Sequence, residues 1–151
     1  MDAMLPRMKP VLDERLVQMA RELASARHPR GWGGAAAMYT DSGTVLTSVY
    51  VDAPNEAATL CCETGAICEA HKRGERVIAT VCVARDDENH PFEILAPCGL
   101  CIERLAFWGS DVQCAVPASD DTRAWQMKTL GELQPHRWDR WQKLPTLKPL
   151  D

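Results

Sequence analysis

The chain has 151 residues, 46% of them hydrophobic and 25% charged, with a formal net charge of −4. That length suits one domain with a real core rather than two ordinary ones, so residues 1–151 are read as a single domain with a C-terminal tail from about 136. The acidic balance argues against nucleic acid or an anionic membrane as partner, no run of 18 apolar residues is available to span a bilayer, and the N-terminus lacks an apolar secretory segment, so a cytoplasmic protein is expected.

In chain order, Val11, Leu12, Leu16, Met19, Ala20 and Leu23 recur at helical spacing and predict an amphipathic helix over 11–27, stopped by His28-Pro29-Arg30-Gly31. The small apolar segment 34–40 and the β-rich segment 44–51 flank Asp41-Ser42-Gly43, which reads as a hairpin turn. A loop over 52–60 leads to a helix over 61–71, halted near Arg73-Gly74. The apolar run 77–84 reads as a buried strand. A polar loop over 86–91 holds the acidic run Asp86-Asp87-Glu88, read as solvated. A helix over 98–108 then closes at Gly109, a short strand covers 112–116, and 123–130 is read as a fifth strand. Helices lying between apolar strands imply crossover connections and a layered α/β sandwich.

Seven cysteines, an odd number, fit a reducing compartment with some thiols on a metal better than a disulfide framework. Two motifs stand out: Cys61-Cys62-Glu63, read as C-x-E, and Pro97-Cys98-Gly99-Leu100-Cys101, read as P-C-x-x-C. Cys98 and Cys101, three apart at the start of a helix, share a face and can grip one ion with Cys61. Helix N-termini favour thiolates there. Three protein ligands leave a tetrahedral Zn²⁺ one open position for water, the pattern of a catalytic site, and Glu63 can move that water's proton. Pro97 presets the turn into the helix. A C-x-x-C pair also serves structural zinc or redox chemistry, but structural zinc wants a fourth cysteine or histidine and a redox pair wants a thioredoxin-like context. Cys62 is expected to point elsewhere, and His71 and His90 lack ligand-like spacing. Cys62, Cys68, Cys82 and Cys114 are read as small core residues, and Trp108, Trp125, Trp138 and Trp141 as core or subunit contacts.

The C-x-E and P-C-x-x-C motifs resemble the zinc-dependent cytidine deaminase superfamily, and the all-cysteine ligand set is similar to the small cytidine deaminases and blasticidin S deaminases. Gly34-Ala35-Ala36 resembles the family's V-G-A-A strand, Asp41-Ser42-Gly43 its hairpin, and the segment from Thr129 to Pro135 its late E-L-L-P stretch. The resemblance covers roughly residues 10–136. It implies a three-layer α/β/α sandwich with a five-stranded mixed sheet, assembled as a homo-oligomer, a tetramer or dimer. It implies that Cys61, Cys98 and Cys101 bind Zn²⁺ and that Glu63 shuttles protons while an amino-heterocycle or nucleoside loses its exocyclic amine as ammonia.

The chain departs from the family in three places. The N-x-E pair that holds the ribose in small cytidine deaminases falls on Tyr50 and Asp52, with Asn55-Glu56 nearby. The aromatic residue expected before V-G-A-A is displaced, leaving Trp32 as the platform for a substrate ring, with core or interface packing as the alternative. The arginines that follow each motif are replaced by Thr64 and Ile102, so another cation must offset three thiolates on a divalent ion, and Arg104 is the nearest. These departures leave open a non-cytidine substrate, such as a blasticidin-like antibiotic or a modified base. An inactive zinc-stabilised binding protein is the reading from a different class.

Overall fold

A computed structural model describes residues 12–139. Its first helix, α1 (Glu14–Arg27), starts later than its apolar pattern predicts because Asp13 takes the N-cap. The Asp13 carboxylate accepts from the Leu16 N–H at 3.0 Å and from the Tyr39 hydroxyl at 2.8 Å, so one acid both caps the helix and ties it to the sheet. Leu12 precedes the helix but is buried all the same, and Val11 lies outside the described residues. Asp13→Ala removes the cap and strands the Tyr39 hydroxyl. The expected cost is about 1–2 kcal/mol, read as a lower denaturant midpoint at unchanged slope.

Strands β1 (Gly33–Thr40) and β2 (Val45–Val49) form the expected hairpin, with Gly43 at φ 86° in its turn. Helix α2 (Thr64–Arg73) follows, then β3 (Val77–Arg85), β4 (Glu93–Leu95), α3 (Gly99–Leu105), β5 (Gln113–Ala118), β6 (Asp121–Thr129) and the single turn α4 (Leu130–Leu133). The sheet order is β2-β1-β3-β5-β6; β3 and β5 run parallel and the other pairs antiparallel. The mixed five-strand path is the one expected. A sixth strand, β4, joins it by pairing Cys82–Ala84 of β3 beyond the stretch, Ala79–Thr80, that pairs with β5. With only three residues, β4 shows no alternation that a sequence reading can detect.

Strand side chains alternate between the two faces. Ala35, Ala37, Tyr39, Ala79, Val81 and Val83 pack under Leu16, Val17, Ala20 and Ala24 of α1. Met38, Cys114 and Val116 pack against Ala66, Ile67 and Ala70 of α2 and Leu105 of α3. The result is an α/β/α sandwich. The segment 98–108, expected as one helix, divides into α3 and a 3-10 turn over Ala106–Trp108. Cys68 corrects its core assignment: the buried stripe of α2 runs through Ala66, Ile67 and Ala70, which turns Cys68 to solvent, whereas Cys62, Cys82 and Cys114 are buried. Trp108 and Trp125 pack half-buried against the two cores. Trp138 is 76% exposed, and Trp141, with the tail from 140 onward, lies outside the described residues. No described helix is long and apolar enough to cross a membrane.

Candidate active site

Both cysteine motifs sit at helix starts on the α2/α3 face of the sheet, but neither lies wholly within its helix. Cys61, Cys62 and Glu63 form the turn that feeds α2, closed by Thr64 N–H donating to the Cys61 carbonyl at 3.0 Å. Helix α2 therefore begins at Thr64 rather than Cys61, with Glu63 at its N-cap position. The Ser48 hydroxyl of β2 donates to the Cys62 carbonyl and pins this turn to the sheet. Gly65 lets the helix approach that closely: a Cβ there would stand 2.8 Å from the Ser48 Cβ. On the other motif, Pro97 is buried, Cys98 caps α3 in an extended conformation, and Cys101 lies in the first turn, fully buried.

The fold brings the Sγ atoms of Cys61, Cys98 and Cys101 within 4.8 Å of one another, and among the described residues this is the group of three that suits a metal ion. Cys61 and Cys98 are 3.3 Å apart. A tetrahedral Zn²⁺ with bonds of about 2.3 Å sets its sulfur ligands about 3.8 Å apart, so small adjustments seat the ion. The donor set is soft and tetrahedral in character, which suits zinc. Burial raises the proton affinity of Cys61 and, more strongly, of Cys101. At Cys98 burial acts the same way but is outweighed by hydrogen bonds from the Cys101 and Leu100 backbone N–H groups and from the other thiols, so its pKa falls.

Glu63 is only 3% exposed, and its Oε2 lies 3.5 Å from Cys101 Sγ. Burial pushes its carboxyl above the usual range, while its own backbone N–H, the Cys101 thiol, the Arg104 charge and the Cys82 thiol pull partly back. Arg104 reaches across from α3 and donates to the Thr64 hydroxyl at 3.0 Å, beside Glu63. The chain thus brings Arg104 to the start of α2 from the neighbouring helix.

Of the residues expected on the substrate side, the structure joins Trp32 and Tyr50, whose rings meet edge to face at 4.5 Å. Trp32 is 44% exposed. Tyr50 packs on the buried cluster Ala36, Cys62 and Cys82, which connects the aromatic pair to the turn that carries Glu63. Gly34 permits this packing, since a Cβ there would come within 2.8 Å of Cys62 Sγ. Asp52 is exposed on the next loop, and its carboxylate accepts the Ala53 N–H at 2.9 Å. Neither His71 nor His90 approaches the thiols: His71 stacks on Phe107 and Trp108, and His90 bonds Asp87 at 2.8 Å. The contact that sequence reading missed is the hold of the Thr64 hydroxyl on Arg104, which joins two helices and leaves no local spacing signal.

An α/β/α sandwich that gathers three cysteines and a buried carboxylate at two helix starts defines a protein with a metal-type centre on an α/β scaffold. Comparison with known proteins narrows the class. Over 83% of its length the chain matches the crystal structure of the cytidine deaminase from Bacillus anthracis, at 43% identity and TM-score 0.77, covering 89% of that chain. The cytidine deaminase from Mycobacterium tuberculosis matches over 81% of this chain and 96% of its own, at 26% identity and TM-score 0.59. Blasticidin-S deaminase of Bacillus cereus is 28% identical over 80 residues, half of this chain. The chain covers 57% of the length of that curated relative. No family model matches the chain. On the strength of the first of these likenesses, the chain belongs to the cytidine deaminase superfamily.

Proposed function

We propose that this protein is a zinc-dependent hydrolytic deaminase that exchanges the exocyclic amine of a cytosine-like heterocycle or nucleoside for oxygen and releases ammonia. The observation that carries this reading is Glu63, a carboxyl 3% exposed and 3.5 Å from Cys101 Sγ. A metal site built for stability alone has no use for a buried acid beside its thiolates, and burying that acid is costly. Cys61, Cys98 and Cys101 would hold Zn²⁺, which supplies a Lewis-acidic position that lowers the pKa of water. Glu63 accepts the water proton and delivers protons to the ring nitrogen and the departing amine. Its raised proton affinity suits a group that must both take and give. Arg104, held by Thr64, offsets part of the net negative charge of three thiolates on a divalent ion.

Trp32 and Tyr50 are the substrate-side residues that the geometry supports best, as an aromatic wall for a planar ring. Stacking of a base on an aromatic side chain is worth about 1–3 kcal/mol, so Trp32→Ala is expected to raise KM about tenfold with zinc content unchanged. Asp52 remains a candidate for a polar contact, although its carboxylate turns back on its own loop. That local bond favours a second substrate reading, a blasticidin-like antibiotic or modified base rather than cytidine. A cytoplasmic location and a homo-oligomeric assembly belong to the same proposal. The zinc-loaded protein should be assayed for ammonia against cytosine, cytidine, deoxycytidine, blasticidin S and modified bases. Turnover of cytidine alone removes the second substrate reading. Ammonia from none of them removes the deaminase reading in favour of a zinc-stabilised binding protein.

A further inference from the structure

Residues 28–32, which join α1 to β1 and end on Trp32, are tied down by two side chains from the C-terminal end of β3 and the loop after it. Arg85, the last residue of β3, lies opposite Gly33 across the sheet, and its guanidinium donates to the His28 carbonyl at 2.7 Å. The same guanidinium sits over the Phe92 ring, 4.5 Å from its centre, which fixes its direction. Glu88, from the acidic run that follows, accepts the Gly31 N–H at 2.8 Å. The His28 side chain in turn folds back over the start of β1, so closely that a Cβ on Gly33 would stand 2.3 Å from the His28 Cβ.

These ties act where the connection has least stiffness of its own. Gly31 stands at φ 71°, in the left-handed region, and directly precedes Trp32. Glycine has more backbone freedom than any other residue, and a swing about Gly31 would carry the Trp32 ring off Tyr50, which it meets edge to face at 4.5 Å. Both ties are charge-assisted, a guanidinium on a carbonyl and a carboxylate on an amide N–H, and so are stronger than neutral hydrogen bonds. They fix the backbone at His28 and at Gly31, and strand pairing fixes it again at Gly33. Trp32 is thereby presented at the surface, 44% exposed, from a backbone held on both sides.

We propose that Arg85 and Glu88 are positioning residues, which clamp the segment from His28 to Gly31 and so hold Trp32 against Tyr50 as the aromatic wall of the substrate site. The proposal rests on the role given to Trp32 above. Both side chains act through Trp32 and not on the reacting atoms, so their loss weakens substrate binding and leaves the chemical step alone.

The test is a double-mutant cycle on the zinc-loaded protein. Glu88→Ala and Arg85→Met are each expected to raise KM about threefold, a part of the stacking contribution of the ring, with kcat and zinc content unchanged. Glu88→Gln keeps an acceptor oxygen and recovers most of the wild-type KM. In a Trp32→Ala background, Glu88→Ala should have no further effect, because the ring it holds is gone, whereas a general structural role would add its cost in both backgrounds. A second readout needs no turnover. The emission of Trp32, taken as the difference between a protein and its Trp32→Phe counterpart, moves to longer wavelength in Glu88→Ala as the ring leaves Tyr50 for water. Wild-type KM in both Glu88→Ala and Arg85→Met, full additivity with Trp32→Ala, or a Trp32 emission indifferent to Glu88→Ala overturns the proposal. An emission that shifts in a protein releasing no ammonia from any substrate upholds the clamp on Trp32 and retires the deaminase reading alone.

Discussion

Glu63→Gln is expected to abolish ammonia release while leaving the zinc content and the fold intact. The amide matches the carboxylate in shape, so the turn from Cys61 to Thr64 and the packing at the start of α2 are preserved. What is lost is the ability to accept a proton and return it. General acid–base catalysis contributes about 10²–10⁴-fold, and one group acting in successive proton transfers should place the loss at the upper end of that range. The variant also removes a buried acid from a site where burial disfavours the charged form, so its melting temperature should equal or exceed that of the wild type. Steady-state ammonia release, zinc content by atomic absorption and thermal unfolding make the three measurements. Near-normal turnover in Glu63→Gln would sink the deaminase assignment, whichever substrate is used.

The residues of this site differ in how far they could be read from sequence, and the reason is the distance over which each signal acts. Cys61, Glu63, Cys98 and Cys101 are legible because metal ligation and proton transfer demand particular residue types at short spacings within single turns. Arg104 is legible because it lies three residues past Cys101 on the same short helix, although the partner that holds it, Thr64, comes from another helix. Cys82 is legible as a buried core residue, but its place beside Cys62 is not, because nothing local marks it. Only the antiparallel register of β3 against β1, with Cys82 opposite Ala36, brings it into the cluster with Cys62. The helix starts depart from the apolar pattern for a related reason. Apolar periodicity runs into the preceding turns, whereas the caps at Asp13 and Cys98 and the turn at Cys61 decide where the helices begin. Cys68 departs from the core expectation because residue type alone does not say which face of α2 it occupies. The aromatic pair shows the opposite case. Trp32 and Tyr50 were each singled out for departing from a family pattern, and the hairpin of β1 and β2 places them against each other.

Removing the metal from the wild-type protein is expected to lower its melting temperature, and Cys101→Ser should abolish that sensitivity. The three thiols join the turn before α2 to the first turn of α3, alongside the Arg104–Thr64 bond. The two apolar cores, one on each face of the sheet, do not depend on the metal, so the apo protein should fold. An ion that binds only the folded state adds about 4 kcal/mol at a thousandfold excess over its Kd, and in a chain of this size that corresponds to a shift of roughly 10 °C. Chelation should therefore lower the wild-type midpoint by about that amount and leave Cys101→Ser unmoved, because a buried serine hydroxyl is a poor ligand for zinc. Cys114→Ser supplies the control. Cys114 is equally buried but belongs to the α2/α3-facing core and not to the metal-type group, so this variant should be less stable at the outset yet keep the full chelator-dependent shift. A wild-type midpoint that ignores chelation would mean that the three thiols hold no metal, and the open position on which the proposed chemistry depends would be lost with it.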